Sequence, residues 1–190
     1  MLEQILRFLL ETAFGFFVFL LLVRFYLQLL RAPFRNPLAQ FVVALTNWLV
    51  LPARRVIPGV FGLDWASLLL AWLLEVLLLL LLYLLRGGGS HGGSGVLVGL
   101  FLGLALLELA RFSLYLLIGV ILVQAVISWV NPYAPMAPLF NALTAPFLRP
   151  LQRLVPPVAN IDLSPLLVLV VAQLLLIPLE YLARSVGMLS

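Results

Sequence analysis

Cysteine and lysine are both missing from these 190 residues, histidine occurs once, and charged side chains make up only 9% of the chain. The lack of cysteine removes disulfides, thiolate nucleophiles and cysteine metal sites. One histidine, His91, and seven acids dispersed along the chain do not assemble a Ser/His/Asp arrangement, a metal cluster or a nucleotide loop. Axial haem ligation uses His, Met, Cys or Tyr at fixed positions. His91 sits in a glycine-serine stretch, so a bis-histidine site within one chain is excluded. The expectation is no enzyme, no cofactor and no metal.

What fills the space is apolar. The hydrophobic fraction is 65% and the mean hydropathy is +1.23, well beyond the roughly 45–50% apolar and about 25% charged residues of soluble domains. A bilayer accepts spans of about 20 apolar residues and demands that backbone polar groups pair internally, which selects helices. Four runs are long enough to span: Leu9 to Leu30, Trp65 to Leu85, Phe112 to Val130, and Leu163 to Leu182. Val96 to Leu107 is apolar but short, with Glu108 and Arg111 between it and the third span. It is expected to enter from the interface as part of a bent or tilted helix. The first apolar run lacks a basic head and a small-residue cleavage site, so it reads as a retained helix rather than a signal peptide.

An offset of 98 lays ALTNWLVLPARRVIPGVFGLDWASLL (44–69) over ALTAPFLRPLQRLVPPVANIDLSPLL (142–167), with ten of 26 columns identical and no gap. The paired Thr46/Thr144, Pro52/Pro150, Arg55/Arg153, Pro58/Pro156 and Asp64/Asp162 are not leucine coincidences, and they mark an internal duplication. The units are 1–86 and 96–190, joined by a Gly/Ser-rich connector at 87–95. The fold class expected is an all-α membrane protein of about four transmembrane helices in two parallel repeats, each with a short interfacial amphipathic helix.

Within each repeat, Pro37 to Leu51 and Pro138 to Leu151 are too interrupted to span and too apolar to float free, which suits the interface. Pro52, Pro58, Pro150, Pro156 and Pro157 are expected to stop helices and set the turn. Arg54, Arg55, Arg149 and Arg153 are candidate contacts to anionic lipid headgroups or a partner, at about 1 kcal/mol each. Asp64 and Asp162 precede spanning helices, where a carboxylate caps free N–H groups, and each lies within reach of its repeat's arginines. Glu75 falls mid-span, where an acid is costly and normally paired, and Arg24 in the first span is its expected partner. Glu108 with Arg111 and Glu180 with Arg184 are spaced as local pairs.

Both phrases emerge on one side with Arg31, Arg35, Arg54, Arg55, Arg149 and Arg153, against at most Arg7, Arg86, Arg111 and Arg184 on the other. The positive-inside rule puts the corners in the cytoplasm and both termini outside a bacterial inner membrane. The net charge of +4 is absorbed by this topology, so no nucleic-acid partner is implied.

The segments RFYLQLLR (24–31), NPLAQFVVALT (36–46), PARRVIP (52–58), GLDWASLL (62–69), ISWV (127–130), ALTAPFLRPLQRLVP (142–156) and IDLSPLL (161–167) resemble the two-repeat form of the YggT family of bacterial membrane proteins, which is also found in plastids. The resemblance implies no established enzymatic activity. Bacterial relatives have been linked to osmotic tolerance, cation uptake and division or membrane organisation, and plastid relatives to cytochrome b6 haem maturation and nucleoid distribution. The leading expectation is a scaffold or assembly factor with anionic lipid and a membrane-protein partner, and self-association open to it. The rival is a cation transporter or channel component.

Overall fold

The computed structural model describes residues 1–33, 36–57, 59, 62–87, 94–131, 133–154 and 162–187. Pro58, Pro156, Pro157, Arg35 and His91 lie outside them. The described elements are six helices: α1 (Leu2–Leu29), α2 (Pro37–Val56), α3 (Trp65–Leu85), α4 (Ser94–Val130), α5 (Ala137–Leu154) and α6 (Ser164–Gly187). Four are long and apolar enough to cross a membrane, over Leu2–Leu29, Trp65–Leu85, Val98–Val130 and Ser164–Ser185. The architecture is therefore all-helical, in two units of long helix, short helix, long helix.

Local chemistry sets the ends. Leu30 caps α1, and Arg31 follows in the left-handed region at φ 50°. The Ala32 amide donates to the Leu27 carbonyl at 2.9 Å and the Arg31 amide to Gln28 at 3.1 Å. This is a Schellman stop with arginine where glycine is usual, and buried Ala32 packs back against buried Leu27. Asn36 then starts α2, its side chain accepting from the Ala39 amide at 2.8 Å ahead of Pro37 in the first turn. Gly87, at φ 95°, follows the end of α3.

Two expectations are corrected here. Pro52 and Pro150 lie inside α2 and α5 and do not stop them. Each helix runs one further turn, to Val56 and Leu154, because a proline so near the C-terminus forfeits one backbone bond and leaves little helix to disrupt. Residues 96–107 are continuous with the third span, which begins at Val98 rather than Phe112: α4 is one helix of 37 residues, about 55 Å long. It exceeds a ~30 Å hydrocarbon core, which tilt or overhang accommodates.

Packing follows the repeat. α1 lies against α3 and α4 against α6, with α3 on α4 joining the halves. Val18, Leu21 and Leu22 of α1, Val50 of α2, Ala66 and Ala71 of α3, and Leu109 and Leu116 of α4 form the largest apolar cluster. In the second unit Leu148, which stands 98 residues after Val50, packs with Ile121 and Val168. A third cluster joins Leu27 and Ala39 to Leu139 and Leu143, so both short helices meet at one end of the bundle. The two repeats are therefore parallel, with both corners on the same side.

The short helices bury one stripe each. In α2 Ala39, Val42, Thr46 and Val50 recur at helical spacing and face inward. Leu38, Phe41, Trp48 and Leu51 are exposed. Trp48 meets Phe17 of α1 edge to face at 5.8 Å, which keeps α2 alongside the bundle.

Candidate functional site

The first corner is built around Asp64. Its side chain is 1% exposed, yet it is met by two arginines from two other helices. Arg24 Nε of α1 donates to Oδ2 at 3.2 Å. Arg54 of α2 donates from Nε to Oδ1 at 3.2 Å and from Nη2 to Oδ2 at 2.6 Å. The Ser67 hydroxyl donates to Oδ2 at 2.7 Å, and the Ser67 amide to Oδ1 at 3.3 Å, so the carboxylate also caps α3. One side chain thus ties α1, α2 and α3 together.

The arginines are satisfied in turn. Arg24 Nη1 donates to the Thr46 hydroxyl at 2.8 Å and to Asn47 Oδ1 at 3.0 Å, and the Thr46 hydroxyl donates in turn to the Val42 carbonyl at 2.7 Å. Arg54 Nη2 donates to Gln28 Oε1 at 3.2 Å, while Gln28 Nε2 donates to the Gly62 carbonyl at 3.0 Å. Burial alone would push the Asp64 carboxyl up. Hydrogen bonds from Arg54 and Ser67, with the charges of Arg54 and Arg24, outweigh it and hold the group below the ordinary carboxylate range. Asp64 is the anion of a cluster with two cations, and the surplus positive charge lies on Arg54, whose side chain is 39% exposed.

This geometry corrects the expected Arg24–Glu75 pair. Arg24 is engaged at Asp64, and Glu75 lies eleven residues further along α3, about 16 Å deeper. Asn47, Gln28 and Ser67 fall outside the sequence expectations. Their signals are nonetheless present: Gln28 stands one turn after Arg24, Ser67 three residues after the capping Asp64, and Asn47 beside Thr46.

The second corner keeps Thr144 and Asp162 and loses the rest. Asp162 accepts from the Ser164 amide at 2.9 Å and from Gln152 Nε2 at 2.8 Å. Its expected arginine contact is replaced because Gln152 occupies the position of Arg54. Burial raises this carboxyl and the bonds from Ser164 and Gln152 lower it, with a net downward shift. Thr144 donates to Phe140 at 2.9 Å. Arg149 and Arg153 are exposed, as is Arg55, and no acid pairs with them among the described residues.

Further along the bundle, Glu108 pairs with Arg111 at 2.8 Å and Glu180 with Arg184 at 3.5 Å. A groove of about 590 Å³ between α1, α4, α5 and α6 is lined by apolar side chains with Tyr26 and Ser113, and among the described residues no charged side chain faces it. Among the described residues no three His, Cys, Asp or Glu side chains stand close enough to hold a metal.

Four apolar helices, two repeated corners and a buried ionic knot define a multi-pass helical membrane protein of duplicated design. The CCB3/YggT pattern matches residues 3–85 and 103–183, and the chain belongs to that family. It is 37% identical over 184 residues to an uncharacterised protein of Pseudomonas aeruginosa PAO1, covering 95% of this chain and 91% of the relative. An uncharacterised protein from the proC 3′ region of Vibrio alginolyticus is 36% identical, covering 87% and 88%. The uncharacterised protein YggT of Escherichia coli K12 is 34% identical, covering 85% and 82%. No solved structure matches the chain.

Proposed function

We propose that this protein is a non-enzymatic scaffold of the bacterial inner membrane, an assembly or organisation factor acting in membrane-protein maturation, division or osmotic stress. Its corners hold anionic lipid headgroups on the cytoplasmic face, and no nucleic acid is involved. The observation that carries this reading is the arrangement of cations at one end of the bundle. Arg55, Arg149 and Arg153 are exposed there without acidic partners among the described residues, while Arg54 is anchored by Asp64 with its outer edge open. Beside them, exposed Leu38, Phe41, Trp48 and Leu51 of α2 supply an apolar face at the depth where headgroups meet acyl chains. The buried ionic knot fixes one corner rigidly, so a docked membrane-protein partner would meet a preformed surface.

Lipid binding tests it. In nanodiscs, phosphatidylglycerol should bind the protein more tightly than phosphatidylcholine. The triple variant Arg55→Gln/Arg149→Gln/Arg153→Gln should lose about 3 kcal/mol of that preference, roughly a hundredfold. Equal binding of both lipids would end the lipid reading. Flux of a cation through proteoliposomes of the native protein would favour the transporter instead.

A further inference from the structure

The membrane-embedded acids away from the corners form a second system, independent of the scaffold reading. Glu75 sits at the middle of α3, 3% exposed, and its Oε2 has no hydrogen-bond partner among the described residues. The charges that act on it are Glu108 and Arg111 of α4. Arg111 spends Nη2 on Glu108 at 2.8 Å, and its Nε is also buried without a hydrogen-bond partner among the described residues. The other charged groups on the helices packed against α3 are committed or outward-facing. Arg24 of α1 and Arg54 of α2 are held at Asp64, Arg7 and Glu11 of α1 pair with each other at 2.8 Å, and Glu3 of α1 and Arg55 of α2 are exposed.

Two carboxyls therefore stand within the field of one guanidinium inside the bilayer, and only Glu108 is in contact with it. With both ionised the cluster would carry a net negative charge in a medium that solvates it poorly, and like-charged neighbours resist that state. With one of them protonated the cluster is neutral. We propose that Glu75, Glu108 and Arg111 form a binding site for a single exchangeable proton, held mainly on Glu75.

The surroundings also give the proton a way out. Glu108 is 16% exposed, Glu180 of α6 is 37% exposed and Arg184 is 76% exposed. Glu180 acts electrostatically on Glu108, accepts from the Tyr115 hydroxyl at 3.1 Å and pairs with Arg184. Acidic side chains thus run from α3 through α4 to the end of α6 opposite the corners, and that is the side on which the proposed site exchanges its proton.

The test uses dicyclohexylcarbodiimide on the full chain in detergent or vesicles, read by mass spectrometry of peptides. The reagent takes up a protonated carboxyl whole: the carboxyl oxygen bonds to the carbodiimide carbon, the proton moves to nitrogen, and the adduct rearranges to an N-acylurea with nothing leaving. Glu75 should be labelled in the wild type, severalfold less as the pH rises from about 6 to about 9. Glu108→Gln frees Arg111 for Glu75, so labelling at Glu75 should fall severalfold at fixed pH, an outcome a merely structural glutamate would not give. Glu75→Gln, a near-isosteric change, should keep the circular dichroism spectrum and abolish labelling at that position. Unlabelled Glu75 in folded wild type, labelling indifferent to Glu108→Gln, or protection by sodium or potassium at constant pH would overturn the proposal.

Discussion

The two corners descend from one sequence pattern and have reached different physical states. At the first, Asp64 is buried and held by Arg24, Arg54 and Ser67, which arrive on three helices. At the second, Asp162 is half-exposed and held by Gln152 and the Ser164 amide. Threonine, aspartate and the second arginine of the pattern are common to both. The arginine at 54 is replaced by Gln152, and α4 has no arginine anywhere in the half that approaches the corner. Burying a carboxylate costs several kcal/mol and is recovered only by close cationic partners. Without those partners the second aspartate stays where solvent can reach it. The aspartate therefore belongs to the shared frame, and the ionic knot is particular to the first repeat.

The comparison breaks most sharply on removing each aspartate. Asp64→Ala leaves the buried Arg24 guanidinium without its anion and facing Arg54, and should cost about 3–5 kcal/mol of unfolding stability in detergent. Asp162→Ala removes a helix-end acceptor and should cost about 1 kcal/mol. Equal losses from denaturant titrations would show that the two corners are energetically alike. Acid gives a milder version of the same contrast. A carboxyl whose folded pKa lies below its unfolded value binds fewer protons when folded. The stability contributed by Asp64 is therefore fully present above about pH 4 and lost as the pH falls through the lower folded value. Wild type should lose stability more steeply than Asp64→Asn as the pH falls below about 4. Parallel curves would remove Asp64 from the account.

The sequence showed the spans and the duplication because each rests on a strong local signal, a run of about 20 apolar residues or a gapless match of Thr, Pro, Arg and Asp. What it hid was set by geometry. Glu108 and Arg111 look like a boundary on a hydropathy scale, but they pair with each other three residues apart, so the α4 backbone runs through them. Pro52 looks like a stop, but only one turn of helix follows it. Arg24 is recognisable as an intramembrane cation needing an acid, and matching by depth points to Glu75. Helix pairing decides otherwise, since α1 ends and α3 begins at the same face. That places Arg24, five residues from the end of α1, beside the residue that opens α3. Counting residues from the shared corner, rather than matching burial, identifies the partner.

The smallest expected effect is also the most discriminating, because it tries to rebuild the first corner in the second. Gln152→Arg places a guanidinium where Arg54 stands in the other repeat, ten residues before the aspartate in both. If sequence identity at that position were sufficient, the variant should gain several kcal/mol. The physical expectation is far less, about 0.2–1 kcal/mol, because a half-exposed ion pair gains little over its hydration and holds a long side chain still. Burial at the first corner comes from Arg24 filling the inner side of Asp64, with Thr46 and Asn47 taking up its remaining donors. The second corner offers Ala145 in place of Asn47 and no arginine from α4, so the introduced guanidinium would stay at the surface. Denaturant unfolding of the single variant measures it. A gain near the first corner's loss of about 3–5 kcal/mol would mean that the second arginine alone makes the knot, and that the spanning-helix arginine is secondary.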